Sequence, residues 1–98
     1  MTVQKDPEQT ETKFLHKFAD LAQRRVLEIG CGEGRLTWRY ARHSGHVTGI
    51  DLDPDSLRVA TIERPSDLEE SVTFCRADSI HLPFSKEQFD LVILSWSF

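Results

Sequence analysis

Val26-Leu27-Glu28-Ile29-Gly30-Cys31-Gly32-Glu33-Gly34-Arg35-Leu36 is the stretch that decides the fold. A short apolar run with Glu28 inside it stops at glycines on alternate positions, and an amphipathic segment follows at once. That order predicts a buried strand, a turn made of nearly bare backbone, and the start of a helix. Glycine adopts dihedrals closed to other residues and lets a ligand approach the main chain, so the turn points to a small nucleotide-like ligand.

Outward from the turn, the pattern repeats. Arg25–Ile29 is the first predicted strand, and Glu33–His43 a helix that offers Leu36, Tyr40 and Trp38 for packing. Val47–Asp51 is a second strand. Asp53-Pro54 then gives a helix start, an Asp N-cap with Pro in the first turn, for a helix carrying Leu57, Ala60 and Ile62 and ending by Pro65. Asp67–Ser71 is a polar connection, Val72–Arg76 a third strand, Ala77–Gln88 a loop containing Leu82-Pro83-Phe84, and Phe89–Leu94 a fourth strand. Upstream, Phe14, Leu15, Phe18 and Leu21 mark Thr10–Ala22 as an amphipathic helix, and residues 1–12 read as a flexible tail. Strands alternating with helices imply parallel pairing and an α/β, doubly wound sheet. In such sheets ligands sit at the carboxyl ends of the strands, where Gly30–Gly34, Asp51, Asp78 and Ser95 all fall.

Composition narrows the setting. The 98 residues make at most one domain, with 39% hydrophobic and 29% charged residues, as in soluble globular proteins. A net charge of -4 argues against an electrostatic grip on nucleic acid or anionic lipid. No apolar run approaches the roughly 20 residues of a membrane span. Cys31 and Cys75 form no CxxC, and a reducing, cytoplasmic setting is the expectation. His16, His43, His46 and His81 show no metal-ligand spacing with them, so no metal is expected.

Spacing within the turn discriminates among ligands. The dinucleotide fingerprint is G-x-G-x-x-G, and here Arg35 stands at its third glycine, which disfavours a nicotinamide-dependent oxidoreductase. The pattern E-x-G-x-G-x-G instead resembles motif I of the class I S-adenosylmethionine-dependent methyltransferases. Val47-Thr48-Gly49-Ile50-Asp51-Leu52-Asp53-Pro54 resembles that family's second-strand motif, Arg76-Ala77-Asp78-Ser79 with Leu82-Pro83-Phe84 its adenine-binding loop, and Phe89–Ser95 its fourth strand. The match runs from about Arg25 to Phe98, four motifs in register.

The resemblance implies a Rossmann-like sheet in the order 3-2-1-4, a partial cofactor-binding domain over residues 13–98, and S-adenosylmethionine as cofactor with S-adenosylhomocysteine as product. It implies that Gly30, Cys31, Gly32 and Gly34 cradle the cofactor, that Asp51 receives the two ribose hydroxyls, and that Leu52 lies beside it. Asp78 and Ser79 fall at the adenine, and Ser95 beside the methionine moiety. Glu28 is placed near the methionine end, with a purely structural role beside a loop amide or arginine as the alternative. Asp53 is the better N-cap, which leaves Asp51 for the ligand. Asp78 as a mere turn residue is the alternative there. Asp90 reads as structural, and Cys31 as backbone plus a small apolar side chain, since nothing places a base beside it.

No catalytic residue is assigned, because the sulfonium already carries an activated methyl group and the protein supplies positioning. The N/D-P-P-Y/F element of the family's amino-base methylating branch is replaced by Ser95-Trp96-Ser97-Phe98, which points to a small-molecule acceptor. The family's sheet has seven strands, and this chain stops after the fourth. That strand is therefore expected at an open edge, with Trp96 and Phe98 uncovered and the chain alone inactive. Self-association through that edge, or a missing C-terminal half, follows as an expectation. A non-catalytic cofactor-binding or assembly module is the rival reading.

Overall fold

Continuous apolar runs separated by glycine and proline signals can bury both faces only in a parallel sheet covered on each side. The computed structural model, which describes residues 2–5, 24–78 and 80–95, has that architecture. Its strands are β1 (Thr2–Lys5), β2 (Arg25–Ile29), β3 (His46–Asp51), β4 (Val72–Arg76) and β5 (Leu91–Leu94). They form one sheet in the order β1-β5-β2-β3-β4, every pair parallel. The four strands from Arg25 onward reproduce the expected 3-2-1-4 order.

The fifth strand corrects two expectations. Thr2–Lys5, read from sequence as part of a flexible tail, pairs along β5 with Thr2 opposite Leu91 and Lys5 opposite Leu94. The apolar strand Leu91–Leu94 is therefore interior, and the open edge proposed for self-association is occupied. A short polar segment ending in lysine suits an edge strand, where long apolar ones invite aggregation. The helix expected over Thr10–Ala22 lies outside the described residues, as do Ser79, Trp96 and Phe98.

One face of the sheet presents Val26, Glu28, Val47, Val72, Leu91 and Ile93, packed beneath Leu36, Tyr40, Ala41 and Leu68. The other presents Leu27, Ile50 and Val92, packed with Phe84 and Phe89 from the loop after β4. Those two rings meet edge to face at 5.4 Å, so the loop lays an aromatic pair on this sheet face. Each fully buried aliphatic side chain in these layers contributes about 1.5–3 kcal/mol of burial.

Helix α1 is shorter than expected. It spans Thr37–Tyr40 and tightens into a 3₁₀ turn over Ala41–His43, whereas the sequence suggests a start at Glu33. The reason is Gly34, whose φ of +90° keeps residues 32–36 in turns. Helix α2 (Pro54–Glu63) forms as predicted: the Asp53 carboxylate accepts from the Asp55 N–H at 3.0 Å, and Pro54 occupies the first turn. Its Leu57 and Ala60 are buried and it packs on β3 and β4. Ile62 of the same helix is 75% exposed, because at 3.6 residues per turn it points away from Leu57.

Candidate functional site

β2 delivers the chain to the carboxyl edge of the sheet, where Gly30, Gly32 and Gly34 have φ of 78°, 57° and 90°. At Gly34 the requirement is doubly clear: a Cβ would stand 2.5 Å from Cζ2 of the Trp38 indole. That indole meets Phe74 of β4 edge to face at 5.8 Å. Phe74 reaches it across Gly49 of β3, where a Cβ would lie 2.9 Å from the Phe74 ring and 3.0 Å from Cys31 Sγ. An aromatic pair thus braces the turn from below.

The end of β3 braces it from the side. The N–H groups of Gly30 and Cys31 both donate to the Ile50 carbonyl, at 2.9 and 3.1 Å. The Gly32 N–H donates to Asp51 Oδ2 at 2.9 Å, and the Gly34 N–H to the Cys31 carbonyl at 3.1 Å. A phosphate-binding loop works by aiming such amides at the anion. Here these four are committed within the protein.

Asp51 is half-buried at the carboxyl end of β3. Its second oxygen, Oδ1, accepts the Asp53 N–H at 2.9 Å, and its carbonyl accepts the Ala77 N–H at 3.2 Å. One residue thus joins the glycine turn, the start of α2 and the loop after β4. Leu52, beside it, is 59% exposed, with its carbonyl held by Arg76 Nε at 3.1 Å. Asp78 accepts the Ile80 N–H at 2.8 Å through Oδ1, and its Oδ2 lies 3.8 Å from His81 Nδ1. Asp78 therefore does shape its own turn, with its second oxygen facing His81. Ile80, which the sequence reading missed, is 80% exposed next to it. An exposed isoleucine flanking a polar loop residue is a signal available from sequence only once Asp78 is placed.

Glu28 is wholly buried, and two hydroxyls of α1 reach it. Oε1 accepts from both Thr37 Oγ1 and the Tyr40 hydroxyl, each at 2.6 Å. Thr37 and Tyr40 are the polar residues that sequence reasoning did not connect to the site. A buried acid followed by hydroxyls on the next helix was the available signal. Ser95 continues the β2–β5 ladder, its N–H donating to the Ile29 carbonyl at 2.8 Å, with the residue 3% exposed. Cys31 is 2% exposed, and burial, with the Glu28 and Asp51 carboxylates nearby, raises the pKa of its thiol. The protonated thiol is a packing group. Asp90 lies at the opposite, amino end of the sheet, where it grips Arg25 through both oxygens at 3.1 and 3.2 Å. No described helix is long and apolar enough to cross a membrane.

The comparisons with known proteins agree with this geometry. The methyltransferase domain family matches residues 26–98. A ubiquinone biosynthesis O-methyltransferase of Hydrogenovibrio crunogenus is 32% identical over 82% of this chain and 33% of its own length. The methyltransferase GfsG of Streptomyces halstedii is 36% identical over 83% of this chain and 30% of its own. Among solved structures, YcgJ of Bacillus subtilis superposes with a TM-score of 0.75 at 26% identity, over 87% of this chain and 37% of YcgJ. The chain thus spans about a third of the length of these relatives. By its matched family, its sheet order and its glycine turn, the chain belongs to the class I S-adenosylmethionine-dependent methyltransferase domain family.

Proposed function

We propose that this chain is the cofactor-holding part of a methyltransferase that acts on a small-molecule acceptor. The observation that carries the reading is the Asp51 carboxylate standing at the carboxyl edge beside the glycine turn, joined to it through the Gly32 amide. A carboxylate at this edge suits the hydroxyls of a nucleoside. When bound, S-adenosylmethionine supplies an activated methyl group on a sulfonium.

The chain's own residues bind and orient. Asp51 accepts the ribose hydroxyls on the acceptor positions left beside its two amides. Leu52 and Ile80 offer exposed apolar surface to the adenine, and Asp78 Oδ2, beside His81, accepts from the adenine amino group. Ser95 and the glycine turn approach the methionine moiety, and Glu28, held by Thr37 and Tyr40, fixes the turn from beneath. Ser79, outside the described residues, belongs to the adenine loop in this reading. No side chain is assigned to proton removal, since transfer needs chiefly an in-line acceptor about 3–3.5 Å from the reacting atom.

A small-molecule acceptor is favoured by the Ser95-Trp96-Ser97-Phe98 sequence, which lacks the paired prolines of base-methylating relatives, and by a relative named for ubiquinone biosynthesis. Methyl transfer is proposed for a protein holding the remainder of such a domain, and cofactor binding alone for this chain.

Titrating S-adenosylhomocysteine into the chain and its Asp51→Ala variant by calorimetry tests the reading. The variant is expected to lose at least about tenfold in affinity, the value of one lost charge-assisted hydrogen bond. Equal binding by both proteins would remove Asp51 from the site.

A further inference from the structure

Asp51 has more to do than meet a ligand. Both of its carboxylate oxygens already accept a backbone amide at 2.9 Å: Oδ2 from Gly32 in the glycine turn, and Oδ1 from Asp53 at the start of α2. An ionised carboxylate offers about four lone-pair positions, two on each oxygen. The amides take one on each side. One position per oxygen remains, which matches the two hydroxyl donors of a ribose.

We propose that Asp51 is a positioning residue as well as a ligand contact: it fastens the glycine turn to α2, and ribose hydroxyls share the same carboxylate, so sugar occupancy and turn geometry are coupled through one side chain. The inference rests on the cofactor reading above for the ribose, but the fastening itself exists without ligand. Geometry explains why a carboxylate is required. An asparagine at this position would present one oxygen and one NH₂ group, and the NH₂ cannot accept from either amide. It would therefore release Gly32 or Asp53 and lose one ribose contact together. The neighbouring bonds from Gly30 and Cys31 to the Ile50 carbonyl do not depend on the side chain, so the turn's first part stays in place and the loosening centres on Gly32.

The test compares the chain with Asp51→Asn, using amide hydrogen exchange and two ligands: S-adenosylhomocysteine and its 2′,3′-dideoxy analogue. Without ligand, the Gly32 amide is expected to exchange at least about tenfold faster in the variant, from loss of a charge-assisted bond, while Val26 and Val47 in the sheet keep their rates. Unchanged Gly32 exchange would overturn the fastening, and equal acceleration at Val26 and Val47 would reduce it to general destabilisation. In the unaltered chain, S-adenosylhomocysteine should alter Gly32 exchange more than the dideoxy analogue does, a signature that a purely structural Asp51 would not give. The variant should also bind the dideoxy analogue more weakly than the unaltered chain does. Equal affinity for that analogue would mean that Asp51 acts only through the hydroxyls, and would overturn the positioning role. Failure of S-adenosylhomocysteine to bind the unaltered chain would overturn the shared use of the carboxylate along with the cofactor reading. The ligand-free comparison at Gly32 would still decide the fastening.

Discussion

The Tyr40 hydroxyl donates to Glu28 Oε1 at 2.6 Å with both side chains fully buried, and so ties the last residue of α1 to the strand that enters the glycine turn. Thr37 Oγ1 donates to the same oxygen. A buried carboxylate is tolerated only when its oxygens are met by donors. Tyr40→Phe should therefore destabilise the fold by about 1.5–3 kcal/mol, as expected for a hydrogen bond to a charged group. Urea denaturation of Tyr40→Phe, Thr37→Val and the double variant measures it. Because the two hydroxyls share one oxygen, the double variant should depart from the sum of the singles, whereas strict additivity would show that they act independently.

Gly34→Ala should lower stability by about 1–3 kcal/mol through collision with the Trp38 indole, plus the cost of a side chain at positive φ. The same change should raise the mobility of Trp38, read as a fall in its fluorescence anisotropy. A variant as stable as the parent would mean that the indole is not seated against the turn.

The Arg25–Asp90 pair sets an acid limit. Hydrogen bonds from Arg25 lower the Asp90 pKa to about 2 from its ordinary 3.8. Because the folded value is the lower one, the pair's contribution is complete above about pH 4 and is lost as pH falls toward 2. The side chains are 53% and 29% exposed, so the effect is small and screened by salt. Stability measured against pH for the parent and Asp90→Asn should differ by a constant amount above pH 4 and converge near pH 2. Parallel curves over that range would contradict the assignment. Ligand binding at neutral pH should be the same in both proteins, since the pair lies at the amino end of the sheet.

Much of the fold was legible because buried parallel strands leave continuous apolar runs. Arg25–Ile29 and Val72–Arg76 have the bounds that the sequence suggests, and Asp53-Pro54 starts α2 as its capping chemistry requires. β1 was not legible: a short polar segment acquires strand character only from its partner β5, which lies at the far end of the chain. α1 was overestimated because amphipathic spacing does not reveal that Gly34 sits at positive φ. At the site, the positions of Asp51 and the glycines were readable from spacing. Which atoms hold them was not, because the bonds from Gly32 to Asp51 and from Tyr40 to Glu28 exist only once the strands stand side by side.

The central claim is that the glycine turn holds a nucleoside and not a dinucleotide. Separate calorimetric titrations of the chain with S-adenosylhomocysteine and with NADH test it most directly. The account predicts saturable binding of S-adenosylhomocysteine and no saturable binding of NADH. Saturable binding of NADH with none of S-adenosylhomocysteine would contradict it.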